Sequence, residues 1–243
     1  MRVICLVPSI TETLIECGVE VVGRTRFCIH PAEQVKAIDK VGGTKDINWE
    51  RCKKLEPDLV IFDREENLKE MADNCPFPWL AVHITNVHNI SAELITLSES
   101  LNNTALYEIA LRWRTVADTK TLNTGIDKIP GMLEWWRQPE SQHSVVYLIW
   151  RDPWMAIGED TFIQSVLDRV GLKHARSEVG AKYPEINLED FDPAHTTLLF
   201  SSEPFPFARQ KDELIDLGYS CGLIDGELYS WYGIRSLKFL EKL

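Results

Sequence analysis

No apolar run in this chain reaches the roughly 18 residues needed to cross a membrane, so a membrane-embedded protein is not expected. A charged n-region followed by an apolar stretch and a cleavage site is also missing, and Met1 stands directly before the first apolar run. A cytoplasmic location is therefore the expectation, with a periplasmic one if a leader was removed. Basic residues are in the minority: 26 Lys and Arg against 37 Asp and Glu leave a net charge of −11. That excludes nucleic acid as a partner, because phosphate binding needs a basic face. None of the six cysteines forms a C-x-x-C pair, which argues against a structural zinc knuckle. The G-x-S-x-G, H-E-x-x-H, P-loop and G-x-G-x-x-G signatures are absent. Ser9 sits in a strand-to-helix turn but has no assignable base, so no catalytic residue is expected and the chain does not read as an enzyme.

Alternating strands and helices are what the chain does have. Arg2–Val7 is a short branched apolar run, followed by the turn Pro8–Thr13 and a helical run closed by Gly18. A second strand from Val19 leads to Thr25-Arg-Phe-Cys-Ile-His-Pro31; Val41–Asn48 precedes a helix at Trp49–Leu55, and Asp58–Phe62 reads as a buried strand. Continuous apolar strands between short helices imply an α/β fold with a parallel sheet covered on both faces. Ligands of such sheets bind beyond the carboxyl ends of the strands, where the polar residues of this chain fall.

Three segments expected are 1–90, an α/β lobe; 91–143, a helical linker; and 144–243, a second α/β lobe. Helical spacing of Leu94, Leu97, Leu101, Leu106, Ile109 and Trp113 predicts helices broken at Asn102–Thr104. The piece from Thr104 to Ile129 would be one helix of about 25 residues, near 38 Å long. In the second lobe, Val145–Trp150, Thr197–Phe200 and Tyr219–Ile224 read as strands, and Thr161 N-caps a helix closed by Gly171.

The stretches VICLVPSITETLIECG (Val3–Gly18) and VGGTKDINWERCKKLEPDLVIFD (Val41–Asp63) resemble the cobalamin- and siderophore-binding proteins of ABC importers. The resemblance implies two Rossmann-like lobes with central parallel sheets, joined by a single long α-helix. It also implies a bound metal chelate in the interlobe cleft: a corrinoid, haem or ferric siderophore held as ligand, with no cofactor required. An ABC permease would be the partner. In the first lobe, Pro8, Ser9, Thr11, Arg26, Phe27, His30, Thr44 and Arg64 would face the ligand. In the second, the strand-end loops bring Trp150, Arg151, Trp154, Glu203, Phe205, Asp225, Glu227, Trp231 and Arg235. Aromatic walls with a few placed polar groups suit a bulky organic ligand.

Glu50 and Glu189 each lie near an expected helix start and match the surface glutamates that dock such proteins to a permease. An acid in a first helical turn is also favourable to the dipole on its own. Alternation in an extended segment would put Cys28 and His30 on one face, where a thiolate and an imidazole suit a metal; a histidine before Pro31 is equally a wall residue. If that pair does bind metal, the alternative function is a cytoplasmic metallochaperone or enzyme acting on a metal-containing cofactor.

Overall fold

Each branched apolar run of the first half becomes a buried strand. The computed structural model describes residues 1–140, 144–175 and 180–243. The chain divides into two units, Met1–Asp118 with Trp231–Lys238, and Thr119–Ser230 with Phe239–Leu243.

The first unit contains β1 (Arg2–Cys5), α1 (Pro8–Glu16), β2 (Glu20–Thr25), α2 (Ala32–Val35), β3 (Asp39–Gly42), α3 (Trp49–Lys54), β4 (Leu59–Asp63), α4 (Lys69–Asp73), β5 (Trp79–Val82), α5 (Ile90–Leu101) and α6 (Thr104–Asp118). Its sheet has the order β3-β2-β1-β4-β5, and every pair is parallel. Strand order runs outward from β1 in one direction and then resumes on its other side with β4. The carboxyl ends of β1 and β4 therefore form the topological switch point. Ile4, Leu6, Val60 and Phe62 fill the core beneath it with Cys52 of α3. Local chemistry starts the helices: Pro8 stands at the first turn of α1, and the Asn48 side chain accepts from the Arg51 N–H to cap α3.

The helical pair α5–α6 breaks at Asn102, which takes a left-handed conformation at φ +48°, while the Asn103 side-chain Oδ1 caps the next helix by accepting from the Leu106 N–H. α6 then stops at Asp118 instead of running to Ile129. The residues that follow, Thr119-Lys-Thr-Leu-Asn-Thr-Gly125, are weak helix formers. They are also captured elsewhere: the Leu122 N–H donates to the Arg169 carbonyl, and the Arg169 guanidinium donates to the Lys120 carbonyl. The helix is thus 15 residues long. The linker expected over 91–143 is not one separate element, since α5 and α6 belong to the first unit; its last three residues, 141–143, lie outside the described residues.

The second unit contains β6 (Met132–Arg137), β7 (Ser144–Trp150), β8 (Met155–Ala156), α7 (Phe162–Arg169), β9 (Thr196–Ser201), α8 (Lys211–Ile215), β10 (Ser220–Ile224) and α9 (Gly226–Ser230). Its sheet order is β6-β10-β9-β7-β8. The three central strands are parallel, and both edge strands run antiparallel to their neighbours, a common finish for an otherwise parallel sheet. Thr161 caps α7 through the Gln164 N–H, and Gly171 follows that helix at φ +79°. The final helix, α10 (Ile234–Leu240), begins in the stretch that packs with the first unit. No described helix is long and apolar enough to cross a membrane.

Candidate functional site

The switch point of the first unit holds a buried polar network. Asp63 ends β4 and is nearly inaccessible. One carboxylate oxygen accepts the backbone N–H groups of Glu65 and Glu66 at 2.7 and 2.9 Å, and the other accepts the Tyr232 hydroxyl at 2.8 Å. The Tyr232 oxygen is also hydrogen-bonded to the Ser9 side chain at the start of α1. Asn67 completes the network, accepting from the Asp63 N–H and donating to the Thr44 carbonyl. Burial raises the Asp63 carboxyl above its ordinary value, against the opposing pull of its three donors. Burial and the neighbouring carboxylates push the Tyr232 phenol well up, so it stays a donor.

A folded-state value raised above 3.8 means that Asp63 stabilises the folded chain most fully when protonated, and that this contribution fades as pH rises through the raised value. Asp63→Asn abolishes that titration. In urea unfolding, the stability deficit of the variant relative to the parent should therefore be larger at pH 4 than at pH 7. A deficit that grows toward neutral pH would show the ionised form to be the favoured one.

Tyr232 arrives on the stretch Trp231–Lys238, which is bound to α1 and α6 residue by residue. The Gly233 carbonyl accepts from Trp113 Nε1 at 3.1 Å, and the Ile234 N–H donates to Thr13 Oγ1 at 2.9 Å. Arg235 meets Glu12 with two bonds, Nε to Oε2 at 2.9 Å and Nη2 to Oε1 at 2.7 Å. The Arg235 guanidinium also lies 5.4 Å from the Trp231 ring centre, and the His30 ring meets Trp231 edge-on at 5.2 Å. Trp231 and Arg235, expected on a second-lobe loop, are therefore part of the first unit. Their sequence neighbours are in the second unit, so only the fold reveals the return.

The other first-unit candidates divide by exposure. Phe27 and Arg64 are exposed, Pro8, His30 and Thr44 are partly buried, and Ser9 is buried against Tyr232. Arg26 is held by Asp46 through two bonds of 2.8 and 3.1 Å and lies 5.0 Å over the Phe27 ring, so its charge is already matched. Thr11 faces the core: its hydroxyl donates to the Val7 carbonyl and touches the Cys28 sulfur, which removes it from any ligand surface.

After a turn at Arg26–Phe27, Cys28 is fully buried, Phe27 and Ile29 are exposed, and His30 is partly buried. Burial raises the Cys28 thiol, although contacts with Thr11 and Thr25 act the other way. Among the described residues no group of three or more His, Cys, Asp and Glu is placed to hold a metal ion.

In the second unit, an aromatic series links the strand-end loops to the core. Exposed Trp150 meets Phe205 edge-on at 5.2 Å, Phe205 contacts Phe207 at 4.6 Å, and Phe207 stacks parallel to Trp154 at 6.4 Å. Trp154 and Phe205 pack against the hydrophobic core and expose only part of their rings. Arg151 lies over Trp154 and donates to Glu213 at 2.8 Å. Glu203 accepts from the Ser230 hydroxyl, Asp225 accepts from the Leu228 N–H at the start of α9, and Glu227 is partly exposed in that helix.

Glu50 is exposed in the first turn of α3 and paired with Lys53 at 2.7 Å, which holds its carboxyl below the ordinary range. Glu189 is exposed too, but its segment Leu188–Asp190 is one 3-10 turn rather than an α-helix, with Asn187 capping its start by accepting from the Glu189 N–H. Asp63, Asn67 and Thr13 were not among the expected site residues, and Trp113 was expected only as a helix core residue. Asp63 carried a signal, an acid ending a buried strand.

Residues 3–77 match the family model described as periplasmic binding protein. A search of the curated proteins found no significant match. Among solved structures, the fold is shared with the periplasmic vitamin B12 binding protein of Vibrio cholerae at 16% identity and a TM-score of 0.69, covering 99% of this chain and 94% of that one. It is shared with a periplasmic heme binding protein of Pseudomonas aeruginosa at 19% identity and 0.71, covering 98% and 89%. The siderophore binding protein of Vibrio cholerae bound to Fe3+-Desferal gives 16% identity and 0.69, covering 100% and 95%. The chain thus has the two-lobed α/β fold of these binding proteins.

Proposed function

We propose that the chain is a non-catalytic binding protein for a metal chelate of the corrinoid, haem or siderophore class. One observation carries the reading: three structures that share the fold over at least 98% of this chain bind vitamin B12, heme and a ferric siderophore respectively. Exposed Phe27 and Arg64 in the first unit and exposed Trp150 with Phe205 in the second are the groups we assign to ligand contact. The chelate supplies its own metal coordination in this reading, and the protein recognises the organic periphery. An ABC permease is the proposed partner, with Glu50 and Glu189 as the docking acids. Docking to an importer permease belongs to a periplasmic placement; in a cytoplasmic placement, which six free thiols would suit, the chain would bind the chelate without that partner.

The test is an absorbance titration with cobalamin, cobinamide, haem and ferric siderophores, with tryptophan quenching followed alongside. Micromolar or tighter binding of one chelate is expected, weakened about tenfold or more in Trp150→Ala. Failure of all four classes to bind would overturn the reading.

A further inference from the structure

Two cysteine sulfurs in the first unit meet one hydrogen-bonded cluster. Thr11 Oγ1 lies 3.2 Å from Cys28 Sγ and donates to the Val7 carbonyl at 2.9 Å, and the Cys5 thiol donates to that same carbonyl at 3.5 Å. One carbonyl and one hydroxyl therefore stand between the two sulfurs. The backbone explains the approach. Cys5 ends β1 opposite Arg24 of β2, and the turn after β2 folds back so that the Cys28 N–H donates to the Thr25 carbonyl. Cys28 is brought over the end of the β1–β2 pair, and Thr25 Oγ1 lies 3.1 Å from its sulfur. Both cysteines are fully buried.

We infer that Cys5 and Cys28 are a disulfide-forming pair, closed when the chain folds in an oxidising medium and open when it folds in a reducing one. The oxidant is a low-molecular-weight disulfide such as oxidised glutathione. One protein thiolate attacks it and expels one small thiolate. The second protein thiolate then attacks the mixed disulfide and expels the other. The two protons lost by the cysteines end on the two small thiols released, so one disulfide is exchanged for another.

Timing follows from burial. In the folded chain the Cys5 thiol is pushed up to about 12 by its surroundings, and neither sulfur is accessible. The exchange therefore belongs to the folding chain, and the finished protein keeps the state in which it folded. A closed bridge would tie β1 to the segment carrying Phe27 and His30. The bridge itself does not depend on which ligand the chain binds.

The full chain would be unfolded in urea, refolded in reducing or oxidising glutathione buffer, alkylated and mapped by mass spectrometry. Oxidative refolding is expected to remove two of the six alkylatable thiols and to yield one dominant linked peptide pair, Cys5 with Cys28. The already folded chain, held in the same buffer for the same time, should keep all six. Cys28→Ser should lose no thiol pair; where that variant does not refold, Cys5→Ala serves, and the parent peptide map decides in either case. Retention of every thiol after oxidative refolding, a mixture of pairings, or dominance of Cys52 with Cys75 would overturn the inference.

Discussion

Trp113→Ala should destabilise the chain by about 4 kcal/mol, within the usual range for removing a buried aromatic. The ring is fully buried on α6 and its Nε1 donates to the Gly233 carbonyl. Alanine leaves a cavity and also strands that carbonyl without its donor. Trp113→Phe separates the two effects: it keeps most of the volume and should cost only about 1–2 kcal/mol. Urea unfolding at constant slope measures both. Equal losses in the two variants would mean that the hydrogen bond, and not the packing, holds Trp231–Lys238 in place.

Arg235→Ala should cost about 2–4 kcal/mol, because it leaves the Glu12 carboxylate buried without its cation. The Glu12 side chain is only 8% exposed against 23% for Arg235, so the stranded group is the acid and not the base. Glu12→Gln in the same chain should recover at least 1 kcal/mol of that loss, since it removes the unpaired charge. Arg235→Lys should fall between parent and alanine, because an ammonium cannot make both bonds of the guanidinium fork. A strictly additive double variant would show that Glu12 reaches solvent when its partner is gone.

Local chemistry was readable from the residues alone. The branched runs around Ile4, Val60, Val146 and Leu198 predict strands, and each is one; Thr161, Gly171 and the break at Asn102 mark helix ends where the fold has them. The failures share a physical cause, which is contact between residues distant in sequence. The end of α6 is decided by Arg169, 51 residues beyond Asp118. β6 escaped notice because Met132-Leu-Glu-Trp-Trp-Arg137 shows no clean alternation, and only its pairing with β10 makes it a strand. Trp231 and Arg235 were read with their neighbours in the chain, whereas their partners are His30 and Glu12.

The return of Trp231–Lys238 to α1 also sets an order of events during synthesis. Thr13, Glu12 and Asp63 leave the ribosome early, yet their partners Ile234, Arg235 and Tyr232 are more than 160 residues downstream. At about 5–20 residues per second, the nascent first sheet waits on the order of ten seconds or more with its switch point open and the Asp63 carboxylate exposed to water. Closing so long a loop is slow compared with forming α1 or β1. The first unit to be made is thus among the last to be finished.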